Sequence, residues 1–192
     1  TNLTRDHLDF HGDLESYYAA KARLFLEHLP AGGKAGAVAV VNVDDPAGAR
    51  LARRLPTRCV SVGRSAGATV RPLAVETTLA GTRATLALDG LEVPIRCRLV
   101  GAPHVENILG AVAAAWALGA SPDAIVTGLA AVEPPPGRLE QIPGPGFTVV
   151  VDYAHTPDAL ARTLDVLRPL ASGTLVAVFG CGGDRDRGKR PL

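Results

Sequence analysis

Ala37-Val38-Ala39-Val40-Val41-Asn42-Val43-Asp44-Asp45-Pro46 decides the fold. The first seven residues carry no charge, and four of them are valine. A short uncharged run rich in β-branched residues reads as a strand buried on both faces, as in a parallel sheet. Asp44-Asp45-Pro46 ends it, and a helix over residues 46–55 returns the chain. Cys59-Val60-Ser61-Val62 is then a second short strand. Strand, helix, strand is the repeating unit of an α/β sheet.

Outward from this unit the pattern continues in both directions. Toward the N-terminus, Tyr17, Tyr18, Lys21, Leu24, Phe25 and Leu29 recur at helical spacing over residues 14–29, and Asp13 is placed to cap that helix. Toward the C-terminus, residues 82–88 alternate, Asp89-Gly90 is a hairpin turn, and residues 91–99 alternate again. An alanine-rich helix over 105–118 ends at Gly119, and Ser121-Pro122-Asp123 opens another with Ser as N-cap. Glu133-Pro134-Pro135-Pro136-Gly137 is a stiff linker. Beyond it come a strand over 147–152, a helix over 157–170 and a strand over 174–179, a second β-α-β unit. The expected class is α/β: a mostly parallel sheet with a small antiparallel hairpin region over 1–133, then the linker and the start of a further α/β domain over 134–192.

The chain has 192 residues, of which 47% are hydrophobic, enough for a buried core. Twenty basic and 19 acidic residues leave a formal charge of +1. That balance excludes the basic stripe that nucleic-acid binding uses, so phosphate contacts must come from a few placed residues. Cys59, Cys97 and Cys181 show no metal-ligand spacing and read as reduced thiols. No apolar run is long enough to span a membrane. No signal peptide is evident, so a cytoplasmic location is expected. The chain contains no Met, and its last residues follow directly on a glycine-rich loop, so it reads as an internal segment of a longer protein.

Four places could carry chemistry. Asp152-Tyr153-Ala154-His155-Thr156-Pro157 lies at the carboxyl end of a strand, where open α/β sheets bind ligands, though a capped polar turn is an equal reading. Gly180-Cys181-Gly182-Gly183-Asp184-Arg185 is a glycine-rich loop with Arg185, Arg187, Lys189 and Arg190 around it. It is either an anion cradle or a solvated basic loop. Asp6, His7, Asp9 and His11 could join in holding a divalent metal or could be surface polarity. Lys21, placed on the apolar side of its helix beside Ala19 and Ala20, is either a buried lysine with a task or a snorkelling one.

Taken together and in this order, the motifs resemble the Mur ligase family. Thr1 through Gly12, with Tyr18-Ala19-Ala20-Lys21, is similar to its central-domain segment. Pro136-Gly137-Arg138-Leu139-Glu140 is similar to its lead-in to the C-terminal domain. The Asp152 to Pro157 stretch and the Gly180 to Pro191 loop resemble its nucleotide-facing and substrate-facing loops. The wording is nearest to the UDP-N-acetylmuramoyl-tripeptide synthetases. The resemblance implies a central ATP-binding domain over 1–133 and the beginning of a Rossmann-like C-terminal domain over 134–192. It implies an ATP- and Mg2+-dependent ligase that adds meso-diaminopimelate or L-lysine to UDP-MurNAc-L-Ala-D-Glu in peptidoglycan synthesis. Its partners would be that nucleotide-linked dipeptide and an amino acid, with no nucleic acid or membrane, and the enzyme would be a monomer. Other ligases of the same type (folylpolyglutamate or cyanophycin synthetases) and a catalytically dead homologue are the alternatives.

Residue by residue, the resemblance implies that Lys21 becomes a carbamate and, with His7, holds the metal. It places Asn107, Arg138, Asp152 and His155 on ATP, and Arg190 near the incoming amino acid. There is one departure. Where the family carries a first asparagine before its alanine-rich helix, Gly101-Ala102-Pro103-His104-Val105-Glu106-Asn107 has His104. The P-loop and the UDP-binding domain of the family have no counterpart in this stretch, so the segment alone is expected to be inactive.

Overall fold

A computed structural model of the chain describes residues 2–3 and 8–180. The decisive apolar run forms β1 (Val38–Asn42), with Ala39 and Val41 buried. Asp45 then caps α4 (Pro46–Ala52), accepting a hydrogen bond from the Gly48 amide at 3.0 Å, and Pro46 sits in the first turn where its missing N–H is harmless. Gly48 is required there, because a Cβ would run into the Asn42 carbonyl oxygen. The chain returns as β2 (Arg58–Val62), parallel to β1 over five residue pairs. The predicted β-α-β unit is therefore present.

Before it lie a short α1 (Leu8–His11) and α2 (Leu14–Arg23), which starts at Asp13 with its carboxylate accepting from the Ser16 amide at 2.7 Å. The predicted helix over 14–29 is continuous but not uniform. Leu24–His28 is wound as a π-helix, closed by the Leu29 amide donating to the Leu24 carbonyl, before α3 (Leu29–Ala31). Tyr18 and Ala22 are the buried positions of α2. They pack with Ala39, Val41 and Leu51 as one small core.

β3 (Val70–Thr78), β4 (Gly81–Leu88) and β5 (Leu91–Cys97) extend the sheet in the order β1-β2-β3-β4-β5. Pairing is parallel from β1 to β3 and antiparallel from β3 to β5. The hairpin between β4 and β5 turns at Asp89 and Gly90, with φ of 51° and 87°. Both left-handed conformations are those a two-residue primed turn demands. β3 was not expected. Pro72 interrupts its pattern, and the register slips between Pro72 and Ala74. β2 and β3 meet at a single residue pair, Val62 with Val70. Beside that pair Ser61 and Thr69 bind each other reciprocally: the Thr69 amide donates to Ser61 Oγ at 3.0 Å, the Ser61 amide donates to Thr69 Oγ1 at 3.3 Å, and the two hydroxyls lie 3.2 Å apart.

α5 (Ala102–Ala117) lays Ile108, Leu109, Val112 and Ala113 against Val60, Val70, Leu86 and Leu88, forming the larger core with Ile125 and Leu129 of α6 (Pro122–Ala131). α5 ends in a Schellman motif: the Gly119 amide reaches the Trp116 carbonyl, the Ala120 amide reaches the Ala115 carbonyl, and Gly119 takes φ +87°. Ser121 caps α6 through the Ala124 amide at 3.2 Å.

After the linker, β6 (Glu140–Gly144) and β7 (Phe147–Val151) form an antiparallel ribbon, followed by α7 (Pro157–Leu167). β6 was not anticipated, because Pro143 and two polar residues hide its pairing. The strand expected over residues 174–179 is corrected here. Those residues are assigned no strand, and Val176, Val178 and Phe179 stand exposed. The reason is physical: alternation of apolar residues makes a strand only where a neighbouring backbone completes the ladder, and β7 takes β6 as its partner.

Candidate functional site

The residues expected to meet ATP gather where α5 begins, the linker ends and β7 stops. Asp152 directly follows β7, and its carboxylate is already occupied on three sides. One oxygen accepts from the Leu139 amide at 3.0 Å. The other accepts from the Ala154 amide at 3.0 Å and from the Thr163 hydroxyl at 3.2 Å. A carboxylate has about four acceptor positions, so one remains for a ligand. Asp152 thus clamps the linker to α7 in addition to any nucleotide contact. The signal for this clamp was absent from the sequence, since neither Leu139 nor Thr163 looks like a functional residue.

Leu139 is buried and non-glycine, yet its φ is +49°. L-residues avoid that region, so surrounding contacts must hold it there. Two do: the Asp152 carboxylate on its amide, and the neighbouring Arg138 carbonyl, which accepts a hydrogen bond from His104 Nε2 at 3.3 Å. His104, the departure from the family pattern, is 8% exposed and so sits inside the joint between α5 and the linker. Gly101, just before α5, takes φ +95°, and a Cβ there would run into Val166 of α7. The helix start, the linker and α7 are therefore packed as one junction.

Four exposed side chains belong to that neighbourhood. The Arg138 guanidinium lies over the Tyr153 ring, 4.9 Å from its centroid. The His155 ring meets the same tyrosine edge-on at 5.1 Å, and its Nδ1 donates to the Tyr153 carbonyl at 3.0 Å. Asn107 is exposed on α5, three residues beyond His104 and so on the same side of the helix. A cation, an aromatic ring and an imidazole, brought together at a strand's carboxyl end, can stack a base and accept phosphate charge. Tyr153 received no role in the sequence reading, although it lies inside the motif.

Lys21 belongs to a second group. The expectation that it lies on the apolar side of its helix is corrected: Tyr18 and Ala22 take the buried positions, while Lys21, Ala19 and Ala20 are exposed. Position 21 falls at the border of the buried stripe because its helical neighbours at 18 and 22 define the stripe's centre. Its ammonium lies 4.8 Å from the Tyr17 ring centroid, and with Asn42 and Asp45 it lines a cleft of about 100 Å3. The Asp45 carboxylate accepts from the Gly48 and Leu3 amides, and Asn42 Oδ1 accepts from the Asp44 amide. As an ammonium Lys21 would repel a cation, whereas a carbamate on it would add oxygens beside those of Asn42 and Asp45. That donor chemistry suits Mg2+, which takes oxygen ligands and keeps few from the protein. Among the described residues no group of three His, Cys, Asp or Glu side chains could hold a metal by itself. His7 and Arg190, the remaining expected site residues, lie outside the described residues, as does the loop over 181–191.

Residues 1–115 match the Mur ligase middle domain, and residues 137–192 match the glutamate ligase domain of Mur ligases. The chain belongs to the Mur ligase family. The UDP-N-acetylmuramoyl-L-alanyl-D-glutamate–2,6-diaminopimelate ligase of Geobacter metallireducens is 51% identical over 194 residues, spanning 100% of this chain and 38% of that protein. The enzyme of the same name from Synechocystis is 46% identical over 199 residues, again with 38% of its length covered. A solved structure of a ligase of that name superposes with a TM-score of 0.74 at 38% identity, over 99% of this chain and 39% of its own. MurF from Acinetobacter baumannii superposes with a TM-score of 0.75 at 26% identity, over 87% of this chain and 36% of its own. This Mur ligase chain therefore spans about two fifths of the length of the curated relatives it matches.

Proposed function

We propose that this chain is the junction between the central and C-terminal domains of an ATP-dependent ligase that joins meso-diaminopimelate to UDP-MurNAc-L-Ala-D-Glu. The observation that carries the reading is the cluster of Arg138, Tyr153 and His155 beside the clamped linker, in a chain 51% identical to a ligase of that name. Residues 1–133 are assigned to the central domain and 134–192 to the linker and the start of the C-terminal domain.

The reaction transfers the terminal phosphoryl group of ATP to the D-Glu side-chain carboxylate. The amino acid's amine then attacks the acyl carbon, the tetrahedral intermediate loses inorganic phosphate, and the amine's proton passes to solvent or a base. Bringing a phosphate chain and a carboxylate together is the physical difficulty, because both are anions. Arg138 supplies a fixed cation, with its guanidinium held over Tyr153 so that little side-chain freedom is lost on binding. Asp152 offers its remaining acceptor position to a ribose hydroxyl. His155, exposed and with Nδ1–H donating to the Tyr153 carbonyl, lies next to Tyr153 and would meet the phosphates. Asn107 presents an amide to the base. Lys21 as a carbamate, with His7, would hold Mg2+, and the ion would supply neutralisation of phosphate charge and polarisation of the transferring group. Arg190 meets the carboxylate of the incoming amino acid. The enzyme works as a cytoplasmic monomer in cell-wall synthesis.

The test is phosphate release by the full-length protein with ATP, Mg2+ and UDP-MurNAc-L-Ala-D-Glu, with meso-diaminopimelate or L-lysine as acceptor. Release that depends on diaminopimelate is expected. Release with lysine alone would reassign the acceptor, and no release from folded, ATP-binding protein would overturn the ligase reading.

A further inference from the structure

A cavity of about 420 Å3 opens at the end of the β3-β4-β5 meander beside the β3–β4 turn, lined by Glu76, Thr78, Arg83, Arg96 and Arg98 with Ala130 of α6 on its wall. None of the residues assigned to the ligase reaction lines it. The ladder register explains its charge. Glu76 stands opposite Arg83, and Arg83 stands opposite Arg96, so one row across three strands reads acid, base, base. Like charges directly opposed across an antiparallel pair are destabilising. Both arginines are exposed, and neither takes part in an ion pair or hydrogen bond among the described residues. Arg98 differs, because its guanidinium engages Glu133 at 2.6 Å and is fixed on the rim. Thr78 accepts from the Ala80 amide at 3.2 Å through Oγ1, which leaves its hydroxyl proton to donate.

Two adjacent guanidiniums with no ion-pair contact among the described residues, a third held beside them and a hydroxyl donor form a receptor for an oxyanion. We propose that this cavity binds a phosphate group, free or carried by a small organic molecule, through Arg83 and Arg96. A tetrahedral phosphate suits it better than a single planar carboxylate, because one ion must offer oxygens to two guanidiniums in two directions. The planar fork of arginine pairs with phosphate oxygens two at a time. Glu76 closes the row on the far side of Arg83, so Arg96 is the guanidinium without an acid opposite it. The volume lies in the range of about 300–1,000 Å3 common to small-molecule sites, so an organic body fits beside Ala80 and Ala130. This inference does not rest on the ligase reading.

The experiment is calorimetric titration of the full-length protein with inorganic phosphate and with glucose 6-phosphate, alongside thermal melts in phosphate and in sodium chloride of equal ionic strength. The expected result is a phosphate-dependent rise in melting temperature that chloride does not reproduce, and one bound phosphate removed or weakened at least about tenfold in R83Q/R96Q. R83K/R96K keeps both charges but loses the fork, and is expected to bind more weakly too; it also serves if the glutamine variant does not fold. R54Q, on an exposed arginine elsewhere, is expected to bind like the unaltered protein. Tighter binding of glucose 6-phosphate than of phosphate assigns the site to an organic phosphate, and the reverse assigns it to the free ion. An equal shift in chloride, or unchanged binding in both double variants, would overturn the proposal.

Discussion

Gly101→Ala is the sharpest probe of the junction on which the candidate site is built. Gly101 takes φ +95°, and an added methyl would meet Val166 and come within 3.4 Å of Leu139 Cδ1. Holding alanine at φ +95° and ψ 159°, a region almost reserved for glycine, costs about 1–3 kcal/mol. Forcing a methyl into packed neighbours costs about 1–3 kcal/mol more. The reduced freedom of the unfolded chain offsets about 0.4–1 kcal/mol. The expected net loss is roughly 1–6 kcal/mol, confined to the contact between the start of α5 and α7. Amide exchange in the full-length protein reads it locally, as faster exchange in residues 157–167 with little change in β4 and β5. Val166→Ala in the same background should relieve the crowding. The double-mutant cycle should then show a favourable coupling of about 1–2 kcal/mol. Additivity within about 0.5 kcal/mol would refute the claim that these helices meet at Gly101.

Three further outcomes follow from the described contacts. Lys21→Ala in the full-length enzyme should cut turnover severely, with partial rescue by a short carboxylic acid; near-normal turnover would remove the carbamate assignment. Thr82 is buried and its hydroxyl donates to the Leu99 carbonyl at 2.7 Å, so Thr82→Val should cost about 1–2 kcal/mol in denaturant unfolding, and a neutral result would show that water reaches that carbonyl. Glu15 grips both guanidinium nitrogens of Arg50 at 2.7 Å, and that contact holds its carboxyl below the usual carboxylate range. A lowered folded-state value stabilises the fold above the ordinary carboxylate range and loses that contribution as pH falls through the folded value. The difference in melting temperature between the unaltered protein and Glu15→Gln should therefore be flat near neutrality and close in acid, and a gap that widens in acid would contradict the pairing.

The sequence was most legible where one local rule acts alone. The β1-α4-β2 unit follows from an uncharged run, an Asp-Pro cap and a returning strand, and the β4-β5 hairpin follows from alternation broken by Asp89-Gly90. It was least legible where a partner strand decides. β3 and β6 carry Pro72 and Pro143 and look like loops until their neighbours are known, while residues 174–179 look like a strand and have no ladder among the described residues. The site shows the same division. Arg138, Asp152 and His155 were singled out from motif wording, and the structure places them beside Tyr153. The clamp from Asp152 to Leu139 and Thr163 was invisible, because it depends on a backbone amide and on a conformation that no residue type announces.

The single-pair meeting of β2 and β3 has a consequence for how this sheet can change over time. A long ladder fixes register by backbone alone and tolerates almost any side chain of the right shape. Here one bridge is too little to prevent slippage, and the hydroxyls of Ser61 and Thr69 act as the dowel that aligns the two halves. Such a joint is heritable only as a pair. Loss of either hydroxyl leaves its mate's amide contact unmade, so viable descendants should either keep both hydroxyls or replace them together with a longer run of strand.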